Sequence, residues 1–255
     1  MLGAPNYDTL AARQPKNLTP TYSLLMKHIH QQPSPPSLIK NHLPEQDFLG
    51  TGVCSKPRPV GVPVDTVIIH SCYVDEKICS APALAPCGES LPAQWLAAKS
   101  QAATGALSSE ELPRIEVQIL RELVLSDAGE KELSTYSVSA IKTIFRFYGV
   151  SAHYVLDREG TIHELVPPDK LAFHAGKSKM PAPEDGRESV NNFSIGIELL
   201  GTETSGFTEA QYQSLQWLIG NLKQTFPIKN LLGHSQIAPG RKTDPHNFNW
   251  SRVSL

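Results

Sequence analysis

The segment Gly233-His-Ser-Gln-Ile-Ala-Pro-Gly-Arg-Lys-Thr-Asp-Pro245 gathers a histidine, an arginine, a lysine and an aspartate in one loop punctuated by glycine and proline. A loop that short cannot bury those groups separately, so their heads share a site or face water. Upstream, Asp65-Thr-Val-Ile-Ile-His-Ser71 carries His70 at the end of a β-branched apolar run. A strand-end histidine is by itself ordinary in a core. Joined to His234 and Asp244, His70 completes a set of two histidines and an aspartate. Three nitrogen or oxygen ligands leave a fourth position for water, the pattern of a catalytic zinc site and not of a closed structural one. Another carboxylate that could do chemistry is Glu198, in Asn192-Phe-Ser-Ile-Gly-Ile-Glu-Leu-Leu200. The period of two along a strand puts Ser194, Gly196 and Glu198 on one face and Ile195, Ile197 and Leu199 on the other, so the acid shares its face with small residues that leave room for a ligand.

Elements must be found to hold these groups in place. Asp65–Ser71 reads as a buried strand, with Thr66, Ile68 and His70 on one face and His70 at the C-terminal end, where α/β sheets tend to place ligands. From Cys72 to about Thr135 the chain is rich in Ala, Ser and Glu, with helical periodicity near 92–99 and 115–125; leaving the metal-bearing strand directly, this insertion is placed to roof the cleft. A helix over about 137–148 presents Val138, Ile141, Phe145 and Tyr148 as one stripe and stops at Gly149. Ser151–Leu156 and Thr161–Val166 form a hairpin around Asp157–Gly160. Thr208-Glu-Ala-Gln211 is a capping box, and Phe207 and Tyr212 beside it can close a hydrophobic staple. The helix it opens carries Tyr212, Leu215, Ile219, Leu222 and Phe226 inward before Pro227, and Asn230–His234 reads as a last short strand. Alternating strands and helices imply an α/β fold, with a mixed central sheet flanked by helices. Residues 1–60, with scattered prolines and one short amphipathic stretch at Tyr22–His30, read as an N-terminal extension or tether; 61–255 reads as the domain, with its helical insertion at about 72–135.

Val64-Asp-Thr-Val-Ile-Ile-His70, Ser151-Ala-His-Tyr154, Phe173-His-Ala-Gly176, the Glu198 strand, Gly233-His234 and Gly240-Arg-Lys-Thr-Asp-Pro245 together resemble the type 2 N-acetylmuramoyl-L-alanine amidases of the AmpD kind, in order and over about residues 60–250. Their fold is shared with peptidoglycan recognition proteins and phage lysozyme-type amidases. The resemblance implies hydrolysis of the amide between N-acetylmuramic acid and L-alanine in peptidoglycan or muropeptides. It implies one zinc per chain on His70, His234 and Asp244, Glu198 as general base and Lys242 as the cation beside the developing oxyanion. It places His174 and Arg241 near the substrate, and Asn192 where it orients substrate or holds the loop. His153 is read as structural or as support behind the site, and His163 as a surface or sheet residue. The extra length before 61 and after His70 leaves open whether intact wall or small muropeptides enter. No separate wall-binding domain is expected after Trp250.

The remaining readings are exclusions and rivals. With 23 basic and 25 acidic side chains the chain has no broad field for nucleic acid or an anionic membrane. No apolar run suits a membrane span and no secretory leader is evident at Met1, so no transmembrane segment is expected; separately, the chain is expected to be a monomer. A chain beginning naturally at Met1 would be cytoplasmic, whereas a processed one would belong to the cell envelope or periplasm. Cys54, Cys72, Cys79 and Cys87 contain no C-x-x-C pair; Cys79 and Cys87 could be bridged, or all four could be free thiols. A non-catalytic peptidoglycan-binding module is the first rival, and the complete set of ligands plus base argues against it. The second is a penicillin-sensitive serine carboxypeptidase built on Ser139-Ala-Ile-Lys142 with Ser189-Val-Asn191. No K-T-G accompanies them, and Ser139, Lys142 and Arg146 are expected on an open, solvent-facing side of their helix.

Overall fold

The computed structural model describes residues 34–50, 52–84, 89–128, 134–183 and 185–255; the stretch Tyr22–His30 and Cys87 lie outside them. Eight strands are described: β1 (Leu38–Lys40), β2 (Ser55–Pro57), β3 (Thr66–Cys72), β4 (Tyr154–Leu156), β5 (Ile162–Glu164), β6 (Lys170–Ala172), β7 (Ser194–Leu200) and β8 (Asn230–Gly233). Six of them form one mixed sheet in the order β1-β5-β4-β7-β3-β8, antiparallel only at β4–β5, while β2 and β6 pair separately. The helices are α1 (Glu76–Ser80), α2 (Leu91–Ala103), α3 (Glu111–Ala128), α4 (Val138–Tyr148), α5 (Glu209–Thr225) and the single turn α6 (His234–Ile237).

The alternation expected along β3 and β7 is what divides the molecule. Val67, Ile69, Ile195, Ile197 and Leu199 point to the face covered by α5, whose Tyr212, Leu215, Leu218, Ile219 and Leu222 are buried against them. At about 1.5–3 kcal/mol for each large side chain taken out of water, this layer is a main anchor of the sheet. Thr208 and Gln211 cap α5 reciprocally, and the rings of Phe207 and Tyr212 meet edge-on at 6.3 Å. The opposite face carries Ile68, His70, Gly196 and Glu198 in adjacent register, with Ile68 beside Gly196 and His70 beside Glu198.

Two expectations need correction, on the N-terminal segment and on Tyr148. The segment before 61 is not all tether: the compact unit begins at Pro36, β1 lies parallel to β5 and β2 pairs with β6. The insertion helices pack on α4, Ile119, Leu120, Leu123 and Val124 of α3 sharing one core with Ala140, Ile141, Phe145 and Phe147 of α4. On α4, Tyr148 is 52% exposed while Phe147 is buried. Phe147 finds Phe48 at 5.3 Å and Trp95 at 5.1 Å between ring centres, so the N-terminal segment and α2 turn the helix's apolar face toward it. Gly149 ends the helix at φ 64°, a left-handed residue whose N–H closes on Phe145 and Arg146 carbonyls. Cys79 is a free thiol, as are Cys54 and Cys72. Among the described residues no helix is long and apolar enough to cross a membrane.

Candidate metal centre

His70 reaches the site from β3, His234 from the first residue of α6 and Asp244 from the loop beyond it. The strand partner of β3, β8, delivers Gly233 beside Ile69, so His234 emerges next to His70 without a long excursion. His70 Nδ1 lies 3.0 Å from His234 Nδ1 and 3.3 Å from Asp244 Oδ2, and His234 Nδ1 lies 3.2 Å from the same oxygen. A tetrahedral zinc with bonds of about 2.0–2.1 Å spreads its ligands about 3.3 Å apart, close to this triangle. His234 Nε2 faces the Ala175 carbonyl at 3.3 Å, so its proton belongs there and Nδ1 keeps its lone pair toward His70 and Asp244. Two imidazole nitrogens and a carboxylate converging in this way suit a cation, and the residues present fit zinc.

The electrostatics agree with ligand chemistry. Burial, only partly opposed by Asp244, holds the His70 imidazole down to about 4, so it is a neutral donor. Asp244 is held well below the usual carboxylate range: burial opposes its charge, but the close polar contacts of the His234 and His70 imidazoles override that. Glu198 is buried on the same face, its carboxyl pushed up to about 8, first by burial and then by Asp244; a hydrogen bond from the Cys72 thiol and the Lys242 charge act against the rise. Its Oε2 has no hydrogen-bond partner among the described residues. A buried, unpartnered carboxylate oxygen is costly in a purely structural role and is what a proton acceptor requires.

The other expected site residues divide. Lys242 is exposed, its main-chain N–H bonded to Ala238, and its charge acts on both His70 and Glu198. Arg241 lies over Gly176 and donates to the Ala175 and Lys177 carbonyls at 2.8 and 2.7 Å, pinning that loop at the rim of a groove of about 390 Å³ lined also by Lys177, Lys179 and Pro239. His174, expected at the substrate, is instead buried behind His70 with Nδ1 3.0 Å from His70 Nε2. Asn192 ends a short 3-10 turn, and loop-holding falls to its neighbour: Asn191 Oδ1 accepts the His174 and Ala175 N–H groups at 3.2 and 2.8 Å. His153 is fully buried and supports the site from behind, its Nδ1 accepting the Gly196 N–H at 3.0 Å. Burial, then the Arg58 charge, holds this imidazole down to about 3. His163, on β5 between β1 and β4, bonds Asp157 at 3.0 Å.

Sequence reasoning missed Asn191, the Cys72 thiol and Arg58, whose guanidinium reaches the carbonyls of Pro168 and Ser194, each at 3.0 Å. Only the asparagine doublet ahead of the Glu198 strand was a visible signal. The serine motif is also differently placed than expected. Its helix face is covered by the N-terminal segment, with Lys142 Nζ bonded to the Asn41 side chain and its ammonium pKa lowered by burial and Arg146. Ser139 Oγ sits 2.9 Å from Ser137 Oγ, the helix cap.

Residues 61–247 match a family described as N-acetylmuramoyl-L-alanine amidase. The 1,6-anhydro-N-acetylmuramyl-L-alanine amidase AmpD of Escherichia coli (strain K12) is 50% identical over 109 residues, covering 42% of this chain and 57% of that protein. The N-acetylmuramoyl-L-alanine amidase AmiD of the same organism is 31% identical over 154 residues, covering 56% of this chain and 53% of that one. The chain therefore spans little more than half the length of these curated relatives. Among solved structures, the crystal structure of a Se-Met AmpD derivative matches 87% of this chain and 96% of its own with a TM-score of 0.49 and 28% identity.

Proposed function

This chain belongs to the N-acetylmuramoyl-L-alanine amidase family, and from that membership we propose that it is a zinc-dependent hydrolase of the amide between N-acetylmuramic acid and L-alanine, acting on muropeptides of the anhydro type. The observation that carries the proposal is the orphan Oε2 of buried Glu198 on the same sheet face as the His70, His234, Asp244 triad. The substrate form follows the activity for which the AmpD relatives are named. A complete set of ligands with a base favours catalysis over binding alone.

His70, His234 and Asp244 would hold one zinc per chain, which supplies Lewis acidity toward the scissile carbonyl and the attacking water. Glu198 Oε2 accepts the proton of that water and returns it to the leaving L-alanine nitrogen. Its raised pKa suits both halves of the task, because the carboxylate takes the proton readily and the acid gives it up near neutrality. Lys242 brings positive charge to the carbonyl oxygen as it becomes an oxyanion, a role worth about 3–4 kcal/mol per donor in other hydrolases. Arg241 and Lys177, in a groove that Lys179 and its ion-pair partner Glu188 also line, offer positive charge to the stem-peptide carboxylates, and Asn192, just before the glutamate strand, is assigned to orienting substrate or holding the loop.

The test combines metal analysis with mass spectrometry of products from a defined anhydro-muropeptide. Glu198→Ala is expected to retain one zinc and lose turnover by about 10²–10⁴-fold, whereas His234→Ala loses metal and activity together. Near-normal turnover in Glu198→Ala, or no zinc in the wild type, would refute the proposal.

A further inference from the structure

Behind the metal triad runs a line of buried polar groups. His70 Nε2 is 3.0 Å from His174 Nδ1; His174 Nε2 is 3.1 Å from Ser194 Oγ; and Ser194 Oγ donates to the Val190 carbonyl at 2.7 Å. The direction of donation follows from its end. Because the Ser194 hydroxyl proton is committed to a carbonyl, Ser194 Oγ must accept from His174, so the His174 proton sits on Nε2. Its Nδ1 is then an acceptor, and His70 must place its proton on Nε2 to meet it. The remaining nitrogen, His70 Nδ1, is left as a lone pair facing His234 and Asp244.

The ring is fixed as firmly as its protons. Main-chain N–H groups of His174 and Ala175 are held by Asn191, and the Phe173 N–H by Ser151 Oγ at 2.8 Å. Gly196 makes the approach possible: a Cβ there would lie 2.4 Å from His174 Cγ. β7 thus gives up a side chain at mid-strand to seat an imidazole against the back of the metal ligand. His174 is also held neutral, its pKa well below the ordinary value through burial and then the His70, His153 and His234 rings, in keeping with an acceptor role.

We propose that His174 is a positioning residue for the metal centre, not a substrate contact: with Ser194 it sets the tautomer and ring orientation of His70 so that Nδ1 is presented to zinc. The inference rests on the zinc reading of the triad. A partner of this kind behind a histidine ligand commonly contributes 10–100-fold to metal affinity.

The test measures zinc affinity of the full chain by chelator competition, with circular dichroism to establish folding and ¹⁵N NMR of the zinc-loaded protein to read the His70 tautomer. His174→Phe keeps the ring and removes the acceptor, and zinc affinity is expected to fall about 10–100-fold. His174→Asn, whose Oδ1 stands in for Nδ1, is expected to recover most of that loss. Ser194→Ala, a smaller change that keeps the ring, is expected to weaken zinc severalfold and to mix the His70 tautomers. Wild-type affinity in folded His174→Phe overturns the proposal; should that variant not fold, wild-type affinity in Ser194→Ala does so. A raised KM with unchanged zinc affinity in the His174 variants would return the residue to substrate contact. Failure of the wild type to bind zinc would overturn the metal reading instead, so the two failures are distinguishable.

Discussion

Glu198 shows how one residue's chemistry is set by competing neighbours. Burial and Asp244 raise its carboxyl to about 8, while the Cys72 thiol and the Lys242 ammonium lower it. A general base works only when deprotonated, so activity rises as pH rises through its pKa. Lys242→Met removes a cation that favours the carboxylate, and the rising limb of kcat/KM against pH should move to higher pH as the plateau drops by about 10²–10³ with the lost oxyanion contact. An acid limb that stays in place would mean that Lys242 does not act on Glu198. That His70, His234 and Asp244 could meet was legible from a strand-end histidine and a short polar loop, and Glu198 from the strand face it shares with Gly196 and Ser194; the roles proposed for them came from the resemblance. The location of His174 was not. Its neighbour is chosen by a loop crossing β7, and the only local trace of that crossing is Gly196, a small residue between Ser194 and Glu198 that reads equally well as room for substrate.

Among the elements, the long ones were readable and the three-residue ones were not. α4 and α5 announce themselves through caps and apolar stripes, and β3 and β7 through β-branched runs. β1 and β2 have too few residues to show a period, and the prolines just before β1 and at the end of β2, Pro35, Pro36 and Pro57, suggest a linker, although proline is tolerated at sheet edges, which is where these strands lie. Arg58, just after β2, ties this segment to the site. It reaches His153 at 2.9 Å and the carbonyls of Pro168 and Ser194, the latter on the strand that carries Glu198. Burial lowers its guanidinium pKa to about 10, against the pull of Asp169, so its removal leaves half-buried carbonyls without a donor. Arg58→Ala is expected to destabilise the fold by about 1–3 kcal/mol in urea unfolding. Arg58→Lys should recover little, because a single ammonium cannot span acceptors that a planar fork reaches together. Stability unchanged in Arg58→Ala would reduce the segment to a passive covering.

At the scale of the whole molecule, the mixed α/β class was legible, whereas the layering of the insertion on α4 was not, since it depends on Phe48, Trp95 and Phe147 meeting from distant parts of the chain. The sheet face that carries the site also buries a cluster of neutral imidazoles, and this gives the metal-free protein a definite pH response. His70 and His153 are held down to about 4 and about 3, and His174 well below its ordinary value, chiefly by burial. Unfolded, each would titrate near about 6.5. A depressed folded pKa means that the unfolded chain takes up protons first as pH falls. The stability these groups contribute is therefore fully present above about 6.5 and is lost on the way down toward the folded values, at up to about 1.4 kcal/mol per pH unit for each. Glu198 works in the other direction. With its folded pKa raised to about 8, its contribution is present below the ordinary carboxylate range and is lost as pH rises through 8. Between pH 4.5 and 6.5 the three imidazoles outweigh the one carboxyl, and above 6.5 the carboxyl acts alone, so stability without metal should peak near roughly pH 6.5, falling steeply on the acid side and gently on the basic side. Urea midpoints measured in excess chelator across pH 4.5–8 provide the check. A midpoint that holds level or rises from pH 6.5 to 4.5 would show that the buried imidazoles gain their protons without cost to the fold, contrary to their burial against His70.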